Sequence, residues 1–521
     1  MENKMKNRKF KIKVIQKKSN YHNNPLKIFN HICKTNKNTL LLESADISNK
    51  KNLKSIIIVD SALRISLSKN IVYVKSLTKN GFTFIKYLEL ILPKYIKTKK
   101  NKDILELKFP NFLNQNLDED SKLKEKSVFD IFRIIIDNIN HTKKYPKSIF
   151  FGGLFSYDLI SYFEKLPKIK KIQKCPDFCF YLSETMIFLN HAKKKCIIQS
   201  TIFNNEKHEI KKIQKRVKYI KDIINKKEFN LIKFKKNNPV IKYNKSNIQF
   251  SKIIKNIKKY IKNGDIFQIV PSRKFYMQCL SPLHSYKNLK KNNPSPYMFF
   301  MQDEDFTLFG ASPESFLKYN SYTRNIEIHP IAGTKPRGRF KNGKINYDLD
   351  NKIELEMKLN KKELSEHIML VDLARNDLSR ICQTGSRYVK QLIKVEKYSH
   401  VMHLVSIITG ILKKELDVFH AYRACMNMGT LTGAPKIKAM QLISKIEKET
   451  RGSYGGSIGY FTGTKKFNTC IIIRSAYIEK DIATIQVGAG IVLKSIPKEE
   501  CLETWNKAYA VIKSINNSQL N

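Results

Sequence analysis

The stretch "NTCIIIRSAYIEKDIATIQVGAGIVLKSIPKEECLETWNKAYAVI" covers residues 468–512. Two β-rich runs, 468–479 and 483–492, lead to Pro497 and a segment of helical character that continues to 512. Proline suits the first turn of a helix, where its missing N–H is not needed. Working outward, "DIFQIVPSRKFYM" (265–277) reads as a further strand, in which Phe267, Ile269 and Pro271 alternate with Gln268, Val270 and Ser272. An amphipathic helix precedes it: Ile253, Ile254, Ile257, Tyr260 and Ile261 recur at helical spacing, and Asn263-Gly264 supplies a stop signal. Nearer the N-terminus, 39–44, 55–60 and 70–76 are β-rich, and 127–140 has helical periodicity. Strands and helices in no strict βαβ rhythm predict a mixed α/β (α+β) sandwich, not a doubly wound parallel sheet.

At 521 residues the chain accommodates two or three domains. The expected division is a basic arm (1–20), a first domain (21–203), a Lys/Asn-rich connection (204–247) and a second domain (248–515). The formal net charge of +52 raises nucleic-acid binding as one hypothesis. The excess is mostly lysine, spread along the whole chain beside abundant Asn and Ile. These are residues of A/T-rich codons, so genome composition accounts for the charge without a nucleic-acid ligand. Nine cysteines without regular spacing suit reduced thiols. Cys175 and Cys179 lie near His191 in sequence, yet no second ligand pair completes a zinc pattern. The N-terminus has no apolar signal core, and no run approaches the ~20 apolar residues of a membrane span. A soluble cytoplasmic protein is expected.

The chemistry gathers in the second domain. Glu363 with Glu366, and Glu500 with Glu503, are i, i+3 pairs in helical segments. Each pair lies on one helix face with Cβ atoms about 5–6 Å apart. A solvated acidic face explains such a pair, and so does a hard cation such as Mg2+, which prefers oxygen ligands. Arg474 interrupts an otherwise apolar run and requires an anion, either a protein carboxylate or a substrate carboxylate. Glycines at 452, 455, 456 and 459 and at 488 and 490 permit close backbone approach. "GTLTGAPK" (429–436) lacks the Gly-Lys-Ser/Thr ending of a phosphate loop, which argues against ATP.

Taken together, the motifs "LLLESADI" (40–47), "GDIFQIVPSR" (264–273), "SPYMFF" (295–300), "GASPE" (310–314), "PIAGTKPRGR" (330–339), "ELSEHIMLVDLARND" (363–377), "VMHLVS" (401–406), "GTLTGAPK", "RGSYGGSIGYF" (451–461), "TCIIIRSA" (469–476) and "QVGAGIVLKSIP" (486–497) resemble, in order and spacing, the chorismate-utilising enzyme family. The resemblance covers about residues 20–515. It implies a multilayer sandwich of β-sheets flanked by helices, with an N-terminal regulatory domain before the catalytic one. It further implies that Glu366 and Glu503 hold Mg2+, with Glu363 and Glu500 as additional ligands or partners of its waters. Tyr454 and Arg474 would grip the enolpyruvyl carboxylate of chorismate; Gly333, Thr334, Gly488, Ala489 and Gly490 would fix other oxygens. Glu314 would be the general acid for the departing hydroxyl, His403 an acid/base in pyruvate elimination, and Thr430 an orienting hydroxyl.

Two positions choose among the family's reactions. Relatives that add water carry lysine where this chain has Gln268, and glutamine cannot act as base; ammonia needs none. Aminodeoxychorismate-forming relatives of one common type carry a lysine nucleophile where Ala332 stands. Both choices imply the anthranilate-forming branch, the first step towards tryptophan, with aminodeoxychorismate formation as the alternative. No cysteine-based amidotransferase triad is present, so a glutamine amidotransferase subunit is expected as partner, in a heterotetramer of two large and two small chains. Glu43, Ser44, Pro296, Tyr297 and Met298 resemble the family's site for tryptophan as feedback inhibitor. Departures are Thr432 for serine, and Trp505 and Tyr509 for arginines, whose side chains are expected to face solvent or the partner.

Overall fold

The computed structural model describes residues 9–44, 53–110, 117–140, 144–169, 175–226, 240–398 and 401–519. Apolar residues are buried on both faces of its strands. In the strand Thr39–Glu43, Leu40 joins a core of strand and loop residues without helices, while Leu41 joins one shared with helices. The same split places Ile58 with Leu40 and Ile57 with Leu41. Alternate side chains leave a strand on opposite faces, so such a strand has a sheet on one side and helices on the other. Phe150, Leu154, Phe299, Met301, Leu308 and Ile458 fill the helix-free layer between sheets. The helices Pro25–Cys33, Lys207–Asn225, Pro282–Asn292 and Pro497–Gln519 cover one outer side. The expected sandwich of sheets flanked by helices is therefore present.

The pairings are antiparallel among the described residues except for Phe10–Lys11 with Ile139–Asn140. Two of them join the halves of the chain. Thr39–Glu43 pairs with Tyr297–Gln302, setting Glu43 opposite Met298, and Phe150–Phe155 pairs with Ser457–Thr462. Residues 10–19 are not a free arm: Lys13–Ser19 pairs with Lys195–Ile202 along its length. The helix Lys207–Asn225 occupies much of the expected connection and buries Ile213, Val217, Ile220 and Ile224. Residues 227–239, also in that connection, lie outside the described residues.

Two strands expected to be continuous are broken. In 265–277, Gln268–Ile269 pairs with Gly433–Ala434, whereas Ser272–Gln278 pairs with Ile482–Gly488. Pro271 has no N–H to give a ladder, so the break falls there. Phe267, set by that alternation on one face with Ile269, is 68% exposed, whereas Ile269 is fully buried. In 468–479, Phe467–Ile471 pairs with Ser315–Asn320, and Ser475–Glu479 pairs with Thr307–Ser312. The chain changes partners across residues 472–474, and Arg474 makes the corner at φ +49°. Arg474 thus sits in a bend, not inside a strand.

The two helices bearing the glutamate pairs form as expected, over Lys361–Ser379 and Pro497–Gln519. The helix Asn247–Lys262 begins in a capping box of Ser246 and Gln249 and stops at Gly264, whose φ is +78°. No described helix is long and apolar enough to cross a membrane.

Candidate active site

Glu314 follows the strand Thr307–Ser312 and is buried. Burial pushes its carboxyl up to about 8, against the downward pull of the Thr430 hydroxyl, the Ile331 N–H and the Lys507 ammonium. The Thr430 hydroxyl donates to Oε1 at 3.0 Å. A carboxyl in such a pocket keeps its proton at neutral pH and can give it away.

His403 lies on the strand Val401–Ile411, opposite Thr334 of Ile331–Pro336. Its Nδ1 is 3.2 Å from the Gly333 carbonyl and 2.9 Å from the Thr334 hydroxyl. A carbonyl only accepts, so Nδ1 carries the proton and Nε2 keeps its lone pair. Burial lowers this imidazole to about 4, with Arg474 adding to the effect against the Gly333 hydrogen bond. It is a neutral base at physiological pH.

A bulge between Ala332 and Thr334 puts Gly333 at φ +65°, where a Cβ would meet Glu363 Oε2 at 2.9 Å. The glycine lets the glutamate lie directly over the bulge. That Oε2 is buried without a hydrogen-bond partner, while Lys335 Nζ stands 3.8 Å from Oε1. Glu366 is half-buried one turn further along the helix.

On the closing helix Glu500 is buried and Glu503 is 47% exposed. Burial alone would raise the Glu503 carboxyl, but the Lys507 ammonium, a hydrogen bond from Glu500 and the Arg474 charge hold it below its ordinary value. Lys507 Nζ is 2.5 Å from Glu503 Oε1 and donates to the Gly488 carbonyl at 3.1 Å. Lys507 was not singled out from the sequence. Its i+4 spacing from Glu503, in a helix that follows the glycine loop in sequence, was the available signal.

Gly488 packs so closely that a Cβ would lie 2.8 Å from the Tyr454 hydroxyl. Gln268 stands against Gly490, where a Cβ would meet Nε2 at 2.7 Å, and its Oε1 is buried with no partner. Ala489 is fully buried. The Arg474 guanidinium feels Glu503 and Tyr454, which partly offset the lowering caused by burial. Among the described residues it makes no hydrogen bond or ion pair. Of the two anions left open by the sequence, the protein carboxylate stays at a distance: Glu503 is felt but does not pair directly with the guanidinium.

A second sequence omission is His367, fully buried, with Nε2 2.6 Å from the Ser406 hydroxyl. It pins the glutamate-bearing helix to the strand of His403. The four glutamates do not assemble a finished cage: among the described residues no three His, Cys, Asp or Glu side chains converge as a metal site. The donor set nevertheless suits Mg2+. Glu363 presents an unpartnered oxygen, and Glu500 and Glu503 share a hydrogen bond that a divalent ion would replace. His191 bonds instead to Tyr21 and Ser55, which removes it from Cys175 and Cys179.

A separate cavity of about 620 Å³ is lined by Glu43, Ser44, Pro296, Tyr297 and Met298, so all five expected effector residues meet. Glu43 is buried and ion-paired with Lys290. Trp505 is 36% and Tyr509 49% exposed, as expected for those departures.

Residues 98–513 match the chorismate binding enzyme family. Anthranilate synthase component 1 of Buchnera aphidicola subsp. Pemphigus spyrothecae is 58% identical over 98% of both chains. That of the subspecies Rhopalosiphum maidis is 56% identical over 99% of this chain and 100% of the relative. Among solved structures, anthranilate synthase component I from Streptococcus pneumoniae TIGR4 superposes with a TM-score of 0.67 at 27% identity, covering 88% of this chain and 92% of that one. The menaquinone-specific isochorismate synthase of Escherichia coli shares the fold, with a TM-score of 0.65 at 16% identity over 97% and 94% of the two chains. A buried protonated carboxyl, a neutral imidazole and an arginine with no direct ion pair thus stand on a chain that belongs to the anthranilate synthase component 1 family of chorismate binding enzymes.

Proposed function

We propose that this chain converts chorismate and ammonia to anthranilate and pyruvate. The observation that carries the reading is Arg474: a desolvated guanidinium with Glu503 near enough to be felt but no direct ion pair or hydrogen bond calls for an anionic substrate, and chorismate is a dicarboxylate. Arg474 and the Tyr454 hydroxyl grip the enolpyruvyl carboxylate. The peptide groups of Gly333–Thr334 and Gly488–Gly490 fix the remaining oxygens. Glu366 and Glu503, with Glu363 and Glu500, would hold Mg2+, which when bound neutralises the ring carboxylate. Lys507 supports that charge from the Glu503 side.

Ammonia adds at C2 as the C4 hydroxyl departs with the Glu314 proton, Thr430 keeping that carboxyl aimed. His403 Nε2 then removes the C2 proton, the enolpyruvyl ether bond breaks, and pyruvate leaves an aromatic ring. Gln268 has no basic nitrogen with which to activate water, and Ala332 offers no nucleophile, so the amine is ammonia itself. Its source is a glutamine amidotransferase subunit, in an assembly of two large and two small chains. Purified chain with chorismate, Mg2+ and ammonium should yield fluorescent anthranilate and one pyruvate per turnover. Aminodeoxychorismate without pyruvate would sink the reading.

The metal assignment predicts that Glu503→Ala raises the Mg2+ concentration for half-saturation by ~100-fold. Outer partners of a metal alone are worth ~10–100-fold, and a direct charged ligand at least as much. Calorimetric titration of Mg2+ in the presence of chorismate reads this independently of turnover. An unchanged isotherm removes Glu503 from the metal.

The 620 Å³ cavity is the site of feedback inhibition by tryptophan in this reading, since strands from both halves of the chain supply its walls. Ser44→Phe should fill it and raise the inhibitory concentration of tryptophan at least tenfold while turnover without inhibitor stays the same. Full inhibition of that variant places the effector elsewhere.

A further inference from the structure

The effector cavity and His403 lie on one face of the same sheet. Val405 and Ile407 line the cavity, and they alternate with His403 along the strand Val401–Ile411, so the three side chains point the same way. Ile331, which pairs with Val405, lines the cavity two residues before Gly333. On the other neighbouring strand Glu396 stands directly opposite His403. The Tyr398–Glu396 pair touches both: it lines the cavity, and Tyr398 contacts the imidazole. The Tyr398 hydroxyl donates to Glu396 Oε2 at 2.5 Å, and both side chains line the cavity. The Tyr398 ring also meets His403, with ring centroids 5.6 Å apart at 58°.

The partition is fixed from behind. The Tyr398 carbonyl accepts from Arg337 Nη1 at 2.6 Å, and Arg337 Nε and Nη2 donate to the two Asp350 oxygens at 2.8 Å. Arg337 itself follows Thr334 by three residues, the residue that hydrogen-bonds His403. Tyr398 is thus tied both to the ring it touches and to the segment that orients that ring. Packed interiors transmit a displaced wall because they do not compress.

We propose that Tyr398 is a positioning residue for His403 and the partition through which occupancy of the effector cavity reaches the catalytic imidazole. This rests on reading the cavity as the tryptophan site and His403 as the base. A ligand wedged against Tyr398 and Glu396 tilts the ring and the His403–Thr334 pair with it. Inhibition then requires no separation of the two halves, which the Thr39–Glu43 and Phe150–Phe155 pairings hold together. Coupling by this route is reciprocal: chorismate weakens tryptophan by the factor with which tryptophan weakens chorismate.

The test compares the unmodified enzyme with Tyr398→Phe and Tyr398→Ala, measuring tryptophan binding by calorimetry and, separately, KM for chorismate and kcat with and without tryptophan. Tyr398→Phe keeps the ring and should keep binding and inhibition within about threefold. Tyr398→Ala removes it; tryptophan should still bind, but the tryptophan-induced change in KM and kcat should shrink at least tenfold. Ile331→Ala changes the same wall with Tyr398 intact, and should weaken the coupling in the same direction if the alanine variant does not fold. Tyr398→Ala that binds tryptophan and is inhibited like the parent overturns the partition. Failure of the unmodified enzyme to bind tryptophan overturns the effector reading itself, and this inference with it.

Discussion

Glu314→Gln should lower kcat by ~10²–10⁴-fold, the range supplied by a positioned general acid. The amide keeps the size of the side chain and can still meet the Thr430 hydroxyl, so chorismate binding should change far less than turnover. Glutamine has no proton to give the departing hydroxyl, and that alone is what the substitution removes. The pH dependence follows from the same burial. With the carboxyl pushed up to about 8, the acid form prevails below that value and is lost above it. At constant free ammonia, kcat/KM should therefore fall as pH rises through about 8. His403, lowered to about 4, stays a neutral base across the same interval and sets only an acid limb near 4.

Stability follows with the same sign. Between the ordinary carboxylate range and about 8 the folded chain holds a proton that the unfolded chain releases. The Glu314 contribution is complete below its unfolded pKa and disappears as pH rises through about 8. Denaturant midpoints of the parent should carry that loss between the ordinary carboxylate range and about 8, and those of Glu314→Gln should lack this component. A variant with more than a tenth of parental kcat would exclude Glu314 as the acid.

Arg474→Ala should reduce kcat/KM for chorismate by ~10²–10³-fold. Truncating one partner of a buried, hydrogen-bonded charge pair costs about 2–5 kcal/mol, and each 1.4 kcal/mol is tenfold. The effect should appear chiefly in KM, because the enolpyruvyl carboxylate is present both before and during the first step. Arg474→Lys restores the charge without the planar fork, so it should recover only part of the loss. Equal activity of the lysine variant and the parent would show that a point charge suffices and that no bidentate grip exists. Because Arg474 turns the chain at φ +49°, circular dichroism and thermal unfolding of each variant separate a lost contact from a disturbed corner.

Much of the fold was legible because burial imposes periodicity. Leu40 to Leu42 and Ile56 to Ile58 had to be strands with apolar cover, and the glutamate helices followed from their spacing and from Pro497. The breaks were less visible. Pro271 marked one in principle, but Ile472 and Ile473 gave no hint that the chain there leaves one strand partner for another. Composition was the least informative signal: a formal charge of +52 raised nucleic acid as one hypothesis that codon usage explained as well, whereas the lysines that matter at the site are individual ones such as Lys507.

What the sequence by itself determined is the inventory of chemistry and the order of its motifs: Glu314, His403, Arg474, two carboxylate pairs, Gln268 in place of a base. The carboxylate pairs depend on residue identity and local spacing, and the roles of Glu314, His403 and Gln268 on what the family resemblance implies; a one-dimensional string retains both. Only the tertiary structure decided what each group experiences. Burial, not residue type, gives Glu314 its proton and takes one from His403. The Glu503 charge felt by Arg474 and the Thr430 hydroxyl on Glu314 come from segments far apart in the chain. Electrostatic environment is set by what is nearest in space and by how much water is excluded, and neither is a property of neighbours in sequence.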